Sequence, residues 1–165
     1  MSEHITHSIA PVFDESSHTL ILGTMPSPKS REQGFYYGHP QNRFFPALAA
    51  AFDEPAPMGV EARRAFLLRH GIAMWDVLKE CEIRGASDTS IKNPVPNDIA
   101  WLLTQAPIRR IFTTGAAAAK LYRRLCEPLT GMSCTQLPSP SPANCRIPFG
   151  ELTEAYRIVS ESAEE

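Results

Sequence analysis

No stretch of this sequence approaches the ~18 consecutive apolar residues that a membrane-spanning helix requires. The amino terminus, MSEHITHSIA, lacks the basic segment and apolar block of a secretory leader. These absences point to a protein of a bacterial-type cytosol, alongside the chromosome, with no membrane partner. Cysteine is sparse and scattered: Cys81, Cys126, Cys134 and Cys145 contain no Cys-x-x-Cys pair, so zinc and iron–sulfur spacing is missing. They read as reduced, mostly buried thiols. An excess of positive charge is also lacking. Lys and Arg number 16 against 18 Asp and Glu, for a net charge of −2, whereas a protein that wraps nucleic acid is basic overall. A local basic rim can still hold DNA, but a large non-specific binding surface is disfavoured. No Gly-x-Ser-x-Gly, Walker loop, Gly-x-Gly-x-x-Gly or His-Glu-x-x-His occurs. Serine-hydrolase, nucleoside triphosphatase, dinucleotide-cofactor and zinc-protease chemistries therefore find no support, and neither a cofactor nor a metal is expected. Internal repeats, low-complexity blocks and linkers are absent as well. With 165 residues, 43% hydrophobic and 21% charged, the chain fits one domain over residues 1–165 around a single core, and a monomer is expected.

Proline, by contrast, is plentiful: 15 of 165 residues against a usual share of about 5%. Pairs or triplets occur at Pro26 and Pro28, at Pro94 and Pro96, and at Pro138, Pro140 and Pro142, where fixed φ stiffens loops. Between them, hydrophobic patterning predicts alternating strands and helices. Thr19 to Leu22 is a continuous apolar run ended by Gly23, the pattern of a strand buried on both faces. Phe44 to Phe52 reads as a helix whose first turn holds Pro46, and Val60 to His70 as an amphipathic helix ended by Gly71. Ile72 to Val77 is a second buried strand carrying one acid, Asp76. A helix capped by Asn97 runs to about Gln105. Arg110 to Thr114 is a third strand, which Gly115 turns into the Ala-rich helix Ala116 to Cys126. A fourth strand spans Ser133 to Leu137, and a last helix runs from about Phe149 to Ser162, with ESAEE fraying as an acidic tail. The alternation implies an α/β fold with a mainly parallel central sheet of about four strands.

Ligands of open α/β sheets bind beyond the carboxyl ends of the strands, and three of those ends are chemically unusual. The first leads into GTMPS, Gly23 to Ser27, where Gly23 allows close approach of the backbone and Pro26 and Ser27 set a rigid loop able to meet a phosphate or a polar base edge. The same loop carries Phe35, Tyr36 and Tyr37. A ring there can stack on a nucleobase, worth ~1–3 kcal/mol, or pack a satellite core beneath the loop, and at least one of the three must do the latter. His39-Pro40-Gln41-Asn42 follows. His39 alone is most simply a hydrogen-bonded loop residue, and Asn42 is either a helix cap or an amide turned into the cleft to hold a water. Asp76 at the second strand end is either paired with a cation or reads a ligand. Ser139 and Ser141 alternate with Pro138, Pro140 and Pro142 in a stiff loop that can contact phosphates or wedge into a base stack.

Taken together, these segments resemble the uracil-DNA glycosylase superfamily, and within it the mismatch-specific branch and the hypoxanthine-DNA glycosylase (deoxyinosine glycosylase) family. The resemblance runs through Gly23-Thr24-Met25-Pro26-Ser27, Tyr37-Gly38-His39-Pro40-Gln41-Asn42-Arg43-Phe44-Phe45, Met74-Trp75-Asp76-Val77 and Leu137-Pro138-Ser139-Pro140-Ser141. It covers about residues 18 to 160. It implies a three-layer α/β/α sandwich, DNA with a deaminated base as partner, a flipped base in a pocket at the strand ends, and cleavage of its N-glycosidic bond. In that frame Gly23 to Ser27 form the pocket floor, Tyr37 stacks on the base, Asn42 faces the sugar, Asp76 reads the base edge, and the serine–proline loop fills the vacated stack. The sequence departs from many relatives at Met25, where Asp or Asn orients the attacking water, at Leu137, where His or Asn opens the last motif, and at Asp76, which matches the base-reading Asn of uracil enzymes. The hypoxanthine family also lacks the first-motif acid and uses the Asn of its His-Pro-x-Asn segment, which matches Asn42. Hypoxanthine is therefore the favoured base. The alternatives are a uracil or G:T/U mismatch enzyme and a non-catalytic protein that binds damaged bases or nucleosides.

Overall fold

The computed structural model describes residues 2–7 and 9–163, with the side chains of residues 162 and 163 excepted. In chain order they form β1 (Glu3–Thr6), β2 (Thr19–Gly23), α1 (Pro28–Gln33), α2 (Phe44–Ala51), α3 (Val60–Arg69), β3 (Ile72–Asp76), β4 (Leu78–Arg84), β5 (Ser87–Pro96), α4 (Ile99–Gln105), β6 (Arg110–Thr114), α5 (Ala116–Leu125), α6 (Glu127–Thr130), β7 (Thr135–Leu137), a 3₁₀ turn (Pro142–Asn144) and α7 (Phe149–Ala163).

A parallel sheet of order β3-β2-β6-β7 is the centre of the molecule. Strand β2 lies inside it, pairing Gly23 with Asp76 on one side and Leu22 with Thr113 on the other. Every residue of β2 and β3 is buried, so both faces of the sheet are covered. That burial explains why these strands are continuous apolar runs rather than alternating ones. In α2, Phe44, Phe45 and Leu48 turn into the core, and Pro46 falls in the first turn, where a missing N–H breaks no helical bond. Gly115, at φ 94°, swings β6 into α5. The expected α/β/α arrangement of a short parallel sheet between helices is the one found. Among the described residues no helix is long and apolar enough to cross a membrane.

The structure departs from the sequence expectations in several places. The long segment after Gly23 contains a short helix, α1, capped by the Ser27 hydroxyl, which accepts from Ser30 N–H at 3.2 Å. Asp98, not Asn97, caps α4, by accepting from Trp101 N–H at 3.0 Å. Asn97 is instead buried, and its amide donates to the carbonyls of Asp76 and Leu78 at 2.9 and 3.2 Å. Strand β7 is shorter than Ser133 to Leu137, and α7 continues to Ala163 through most of the segment expected to fray. The last two residues of that acidic tail, 164 and 165, lie outside the described residues. A whole second sheet was not foreseen. It is antiparallel, of order β1-β4-β5, and its hairpin β4–β5 begins directly after the end of β3. All four cysteines are free, and only Cys81 and Cys126 are buried, so the expectation of mostly buried thiols holds for half of them.

Candidate active site

The carboxyl ends of β2, β3 and β6 open onto a cavity of about 540 Å³. Its floor is set by the parallel register. Gly23 stands beside Asp76, and a Cβ at Gly23 would lie 2.6 Å from Asp76 Oδ1 and 3.3 Å from the Tyr37 hydroxyl. Only glycine leaves room for both groups. The ladder continues past the strand ends through Val77 N–H to the Gly23 carbonyl at 2.8 Å and Leu78 N–H to the Thr24 carbonyl at 3.0 Å. Asn97 clamps the Asp76 main-chain carbonyl from the other side, so the Asp76 backbone is held on two fronts.

Asp76 itself is 5% exposed and lines the cavity. Its Oδ2 is buried without a hydrogen-bond partner, and among the described residues no cation pairs with it. Of the two readings open in the sequence, pairing with Lys or Arg is thereby removed. Loss of hydration, reinforced by the carboxyl of Asp88, pushes the Asp76 carboxyl up to about 8.

Tyr37 adopts φ 54°, in the left-handed region that a non-glycine residue occupies at some cost. Its ring stacks on Phe44 at 4.1 Å and 10°. The Thr114 hydroxyl donates to the Leu22 carbonyl at 3.4 Å, which leaves the Tyr37 hydroxyl as donor to Thr114 Oγ1 at 2.8 Å. One ring face and the phenol are thus committed, and burial raises the phenol's pKa. The neighbouring Phe35 and Tyr36 are buried in the core, the role that at least one of the three aromatics had to take.

Asn42 lines the same cavity. Its Oδ1 accepts from Phe44 N–H at 2.9 Å, a contact that only the oxygen can make and that therefore fixes which way the amide points. Asn42 is not the N-cap of α2, a place held by Arg43, which makes no side-chain cap bond; Asn42 stands one residue earlier, ties the first helical N–H, and lines the cleft as well. His39 also lines the cavity, its Nδ1 accepting from Gln41 N–H at 3.0 Å. Thr24, Met25, Pro26 and Ser27 form the wall after β2, and Ser139, Pro140 and Ser141 the wall opposite. The hydroxyls of Ser139 and Ser141 are partly occupied in holding their own loop, accepting from Ser141 and Ala143 N–H at 3.2 Å each. That loop is braced further by Tyr156, whose hydroxyl donates to the Pro138 carbonyl at 2.8 Å, and by Asn144, whose amide donates to the Ser139 carbonyl at 2.9 Å.

Every site residue proposed from the sequence thus borders one cavity. Sequence reasoning missed the wall contributed by the hairpin β4–β5, namely Ile83, Arg84, Ala86, Ser87 and Asp88, together with Thr114 at the end of β6. Arg84 is the only Lys or Arg among the lining residues. The one available signal was weak: apolar Leu78, Cys81 and Ile83 interspersed with Lys79, Glu80, Glu82 and Arg84, a strand pattern broken between Leu78 and Cys81. Among the described residues no group of three or more His, Cys, Asp or Glu side chains could hold a metal.

Comparisons with known proteins agree with this architecture. The family model of the uracil DNA glycosylase superfamily matches residues 10–157. A hypoxanthine DNA glycosylase of Methanosarcina acetivorans is 32% identical over 144 residues, covering 87% of this chain and 90% of that protein. A hypoxanthine DNA glycosylase of Methanosarcina barkeri is 37% identical over 98 residues, covering 59% and 62% respectively. A solution NMR structure of a candidate uracil DNA glycosylase from Methanosarcina acetivorans superposes with a TM-score of 0.78 at 30% identity, over 94% of this chain and 98% of that one. By the family match across its sheet and cavity, and by relatives of this similarity, the chain belongs to the uracil DNA glycosylase superfamily.

Proposed function

We propose that the protein is a DNA N-glycosylase that extrudes a deaminated base from DNA, hypoxanthine in preference to uracil, and hydrolyses its N-glycosidic bond. The observation that carries this reading is the buried, unpartnered Asp76 oxygen at the floor of a cavity that Tyr37 and Asn42 also line. A flipped base supplies the partner that Oδ2 lacks. Extrusion costs a few kcal/mol of stacking and pairing, and the braced loop 138–144 offsets it by entering the vacated space. The free face of Tyr37 takes the base, while main-chain groups near Met25 and Pro26 and the Asp76 carboxyl meet its edge. Cleavage sends the C–N electron pair onto the base and leaves an oxocarbenium-like sugar, to which water adds with loss of a proton. Such a cation needs a placed water and electrostatic shelter more than a strong base, so Met25 at the usual acid position is compatible with turnover. Asn42 holds that water with the part of its amide not bound to Phe44 N–H. Preference for hypoxanthine is supported by the names of the two Methanosarcina relatives and by the absence of the first-motif acid.

The test is single-turnover excision from oligonucleotides bearing inosine or uracil, in single and double strands. Inosine is expected to be released faster. Asn42→Ala should slow release at least about tenfold, equivalent to about 1.4 kcal/mol of transition-state stabilisation, and lower stability by about 1 kcal/mol through the lost Phe44 N–H bond. Asn42→Asp retains the acceptor for Phe44 and separates the two effects. Excision by Asn42→Ala at the wild-type rate would remove Asn42 from the reaction. Tight binding of an abasic analogue with no base released would leave a damaged-base binding protein.

A further inference from the structure

Asp88 reaches the cavity from the hairpin β4–β5, on the wall not foreseen from the sequence. The residue as a whole is exposed, but its carboxyl turns inward, where Oδ2 accepts from the Thr24 hydroxyl at 3.5 Å. Thr24 follows Gly23, the register neighbour of Asp76. The two carboxyls therefore face one cavity across the end of β2. Other titratable or charged groups around Asp76 are few. From the segment between α1 and α2 come the phenols of Tyr36 and Tyr37, both kept neutral by burial, and His39. From β4 comes Arg84, which is exposed, and from the turn before α4 only the neutral amide of Asn97, bonded to the Asp76 main chain. From α1, Arg31 reaches the cavity wall by donating to the Pro26 carbonyl at 2.8 Å, and buried Cys81 of β4 is within electrostatic reach of both it and Asp88. Among the described residues no cation pairs with Asp76 itself.

We propose that Asp88 is a positioning residue that acts through Asp76: by facing the same cavity it adds to burial in keeping the Asp76 carboxyl neutral, the form that donates its hydroxyl hydrogen to the carbonyl oxygen of a deaminated base and accepts the adjacent ring N–H. The inference rests on the assignment of Asp76 to the base edge. Its chemistry is that of complementary pairs. Hypoxanthine and uracil each present a C=O beside an N–H, and a carboxylic acid presents an O–H beside a C=O. A carboxylate offers acceptors only and would set negative charge against the base carbonyl. Two carboxyls that share a site do not both ionise readily. Burial raises the Asp88 carboxyl too, but the Thr24 hydroxyl opposes that rise, whereas Asp76 has no such partner, so Asp88 loses its proton first. Dehydration is the larger cause of the Asp76 midpoint near 8, and Asp88 the second. As the C–N bond breaks, negative charge spreads through the base to its carbonyl oxygen, so the Asp76 hydrogen bond strengthens in the transition state.

The test titrates side-chain carboxyls by ¹³C NMR in the full-length protein without DNA, for wild type, Asp88→Asn and Asp76→Asn. A carboxyl with a midpoint near 8 is expected in wild type, absent from Asp76→Asn, and displaced to lower pH by about half a unit in Asp88→Asn. The pH dependence of single-turnover inosine excision is measured on the same proteins. The rate should fall above the Asp76 midpoint in wild type and at correspondingly lower pH in Asp88→Asn, with Asp88→Glu restoring the wild-type profile. An identical Asp76 midpoint in wild type and Asp88→Asn overturns the proposal whether or not the protein excises a base, as does a rate profile that ignores the midpoint. Displacement of the midpoint without excision of any base by wild type would support the carboxyl coupling and overturn the glycosylase reading instead.

Discussion

At the scale of single residues, Asp76 sets function against stability. Its carboxyl is buried and unpartnered, a condition that a folded protein keeps only where something is gained. With a folded midpoint of about 8 against about 3.9 in an unfolded chain, the folded protein retains a proton that the unfolded one has released. Stability therefore falls as pH rises from about 4 to about 8 and then levels off. Asp76→Asn removes this linkage. The variant should match wild type in melting temperature near pH 4 and exceed it above pH 8, by a difference on the order of a few kcal/mol. Thermal melts of both proteins across that range measure it. Equal melting curves at pH 8 would show that Asp76 is not held protonated in the fold. The sequence made Asp76 conspicuous as the lone acid of an apolar strand, but its solitude was not legible there, because the missing cation is a fact of three-dimensional neighbours. The double part played by Asn42 was hidden for the opposite reason: a side chain that ties the first N–H of α2 and an amide that lines the cleft require the same residue at the same place.

At the scale of elements, the parallel strands were legible and the antiparallel hairpin was not. Strands β2, β3 and β6 are buried on both faces, so their apolar runs stand out against any background. Strand β5, by contrast, is the edge of its sheet, is mostly exposed, and carries Pro94 and Pro96, residues that an edge strand tolerates and that in sequence read as loop. Its irregular pairing, with register shifts against β4 and Asn93 at φ 52°, erases the period of two. The misplacement of the α4 cap has the same origin, since Asn97 and Asp98 are both capping types and only one of them faces the helix. Their different duties predict different costs. Asp98→Ala removes a single exposed cap bond and should lower stability by about 1 kcal/mol with excision unchanged. Asn97→Ala strips buried carbonyls of Asp76 and Leu78 of a donor. It should cost about 1–3 kcal/mol and also slow excision, because the same amide fixes the Asp76 backbone. Denaturant melts and single-turnover rates on the two variants decide it; similar behaviour of the pair would mean that the Asn97 clamp does not reach the site.

At the scale of the whole molecule, the site exists because parallel strands deliver their carboxyl ends to one edge. That geometric rule made its convergence readable from element order alone. What element order does not reveal is how segments a hundred residues apart keep a common spacing. Arg43 does much of this. Its main-chain N–H donates to the Pro140 carbonyl at 3.1 Å, and its guanidinium to the carbonyls of Ile147 and Asn144 at 2.7 and 3.1 Å. The residue after Asn42 therefore holds the far side of the loop proposed to enter DNA. Arg43→Ala keeps the main-chain bond and removes both guanidinium bonds. Because Asn144 and Ile147 are half-buried, water can replace part of what is lost, and the stability cost should stay near 1–2 kcal/mol. The functional effect should be larger, since a loosened loop loses the rigidity that makes insertion favourable. Hydrogen exchange should quicken over residues 138–147, and inosine excision should slow at limiting enzyme more than at saturating enzyme, the signature of weakened capture of the flipped state. Arg43→Lys, whose ammonium lacks the planar fork that spans two carbonyls, should fall between. Faster exchange in this loop with excision unchanged at every enzyme concentration would separate loop rigidity from base extrusion and leave Arg43 a purely architectural tie.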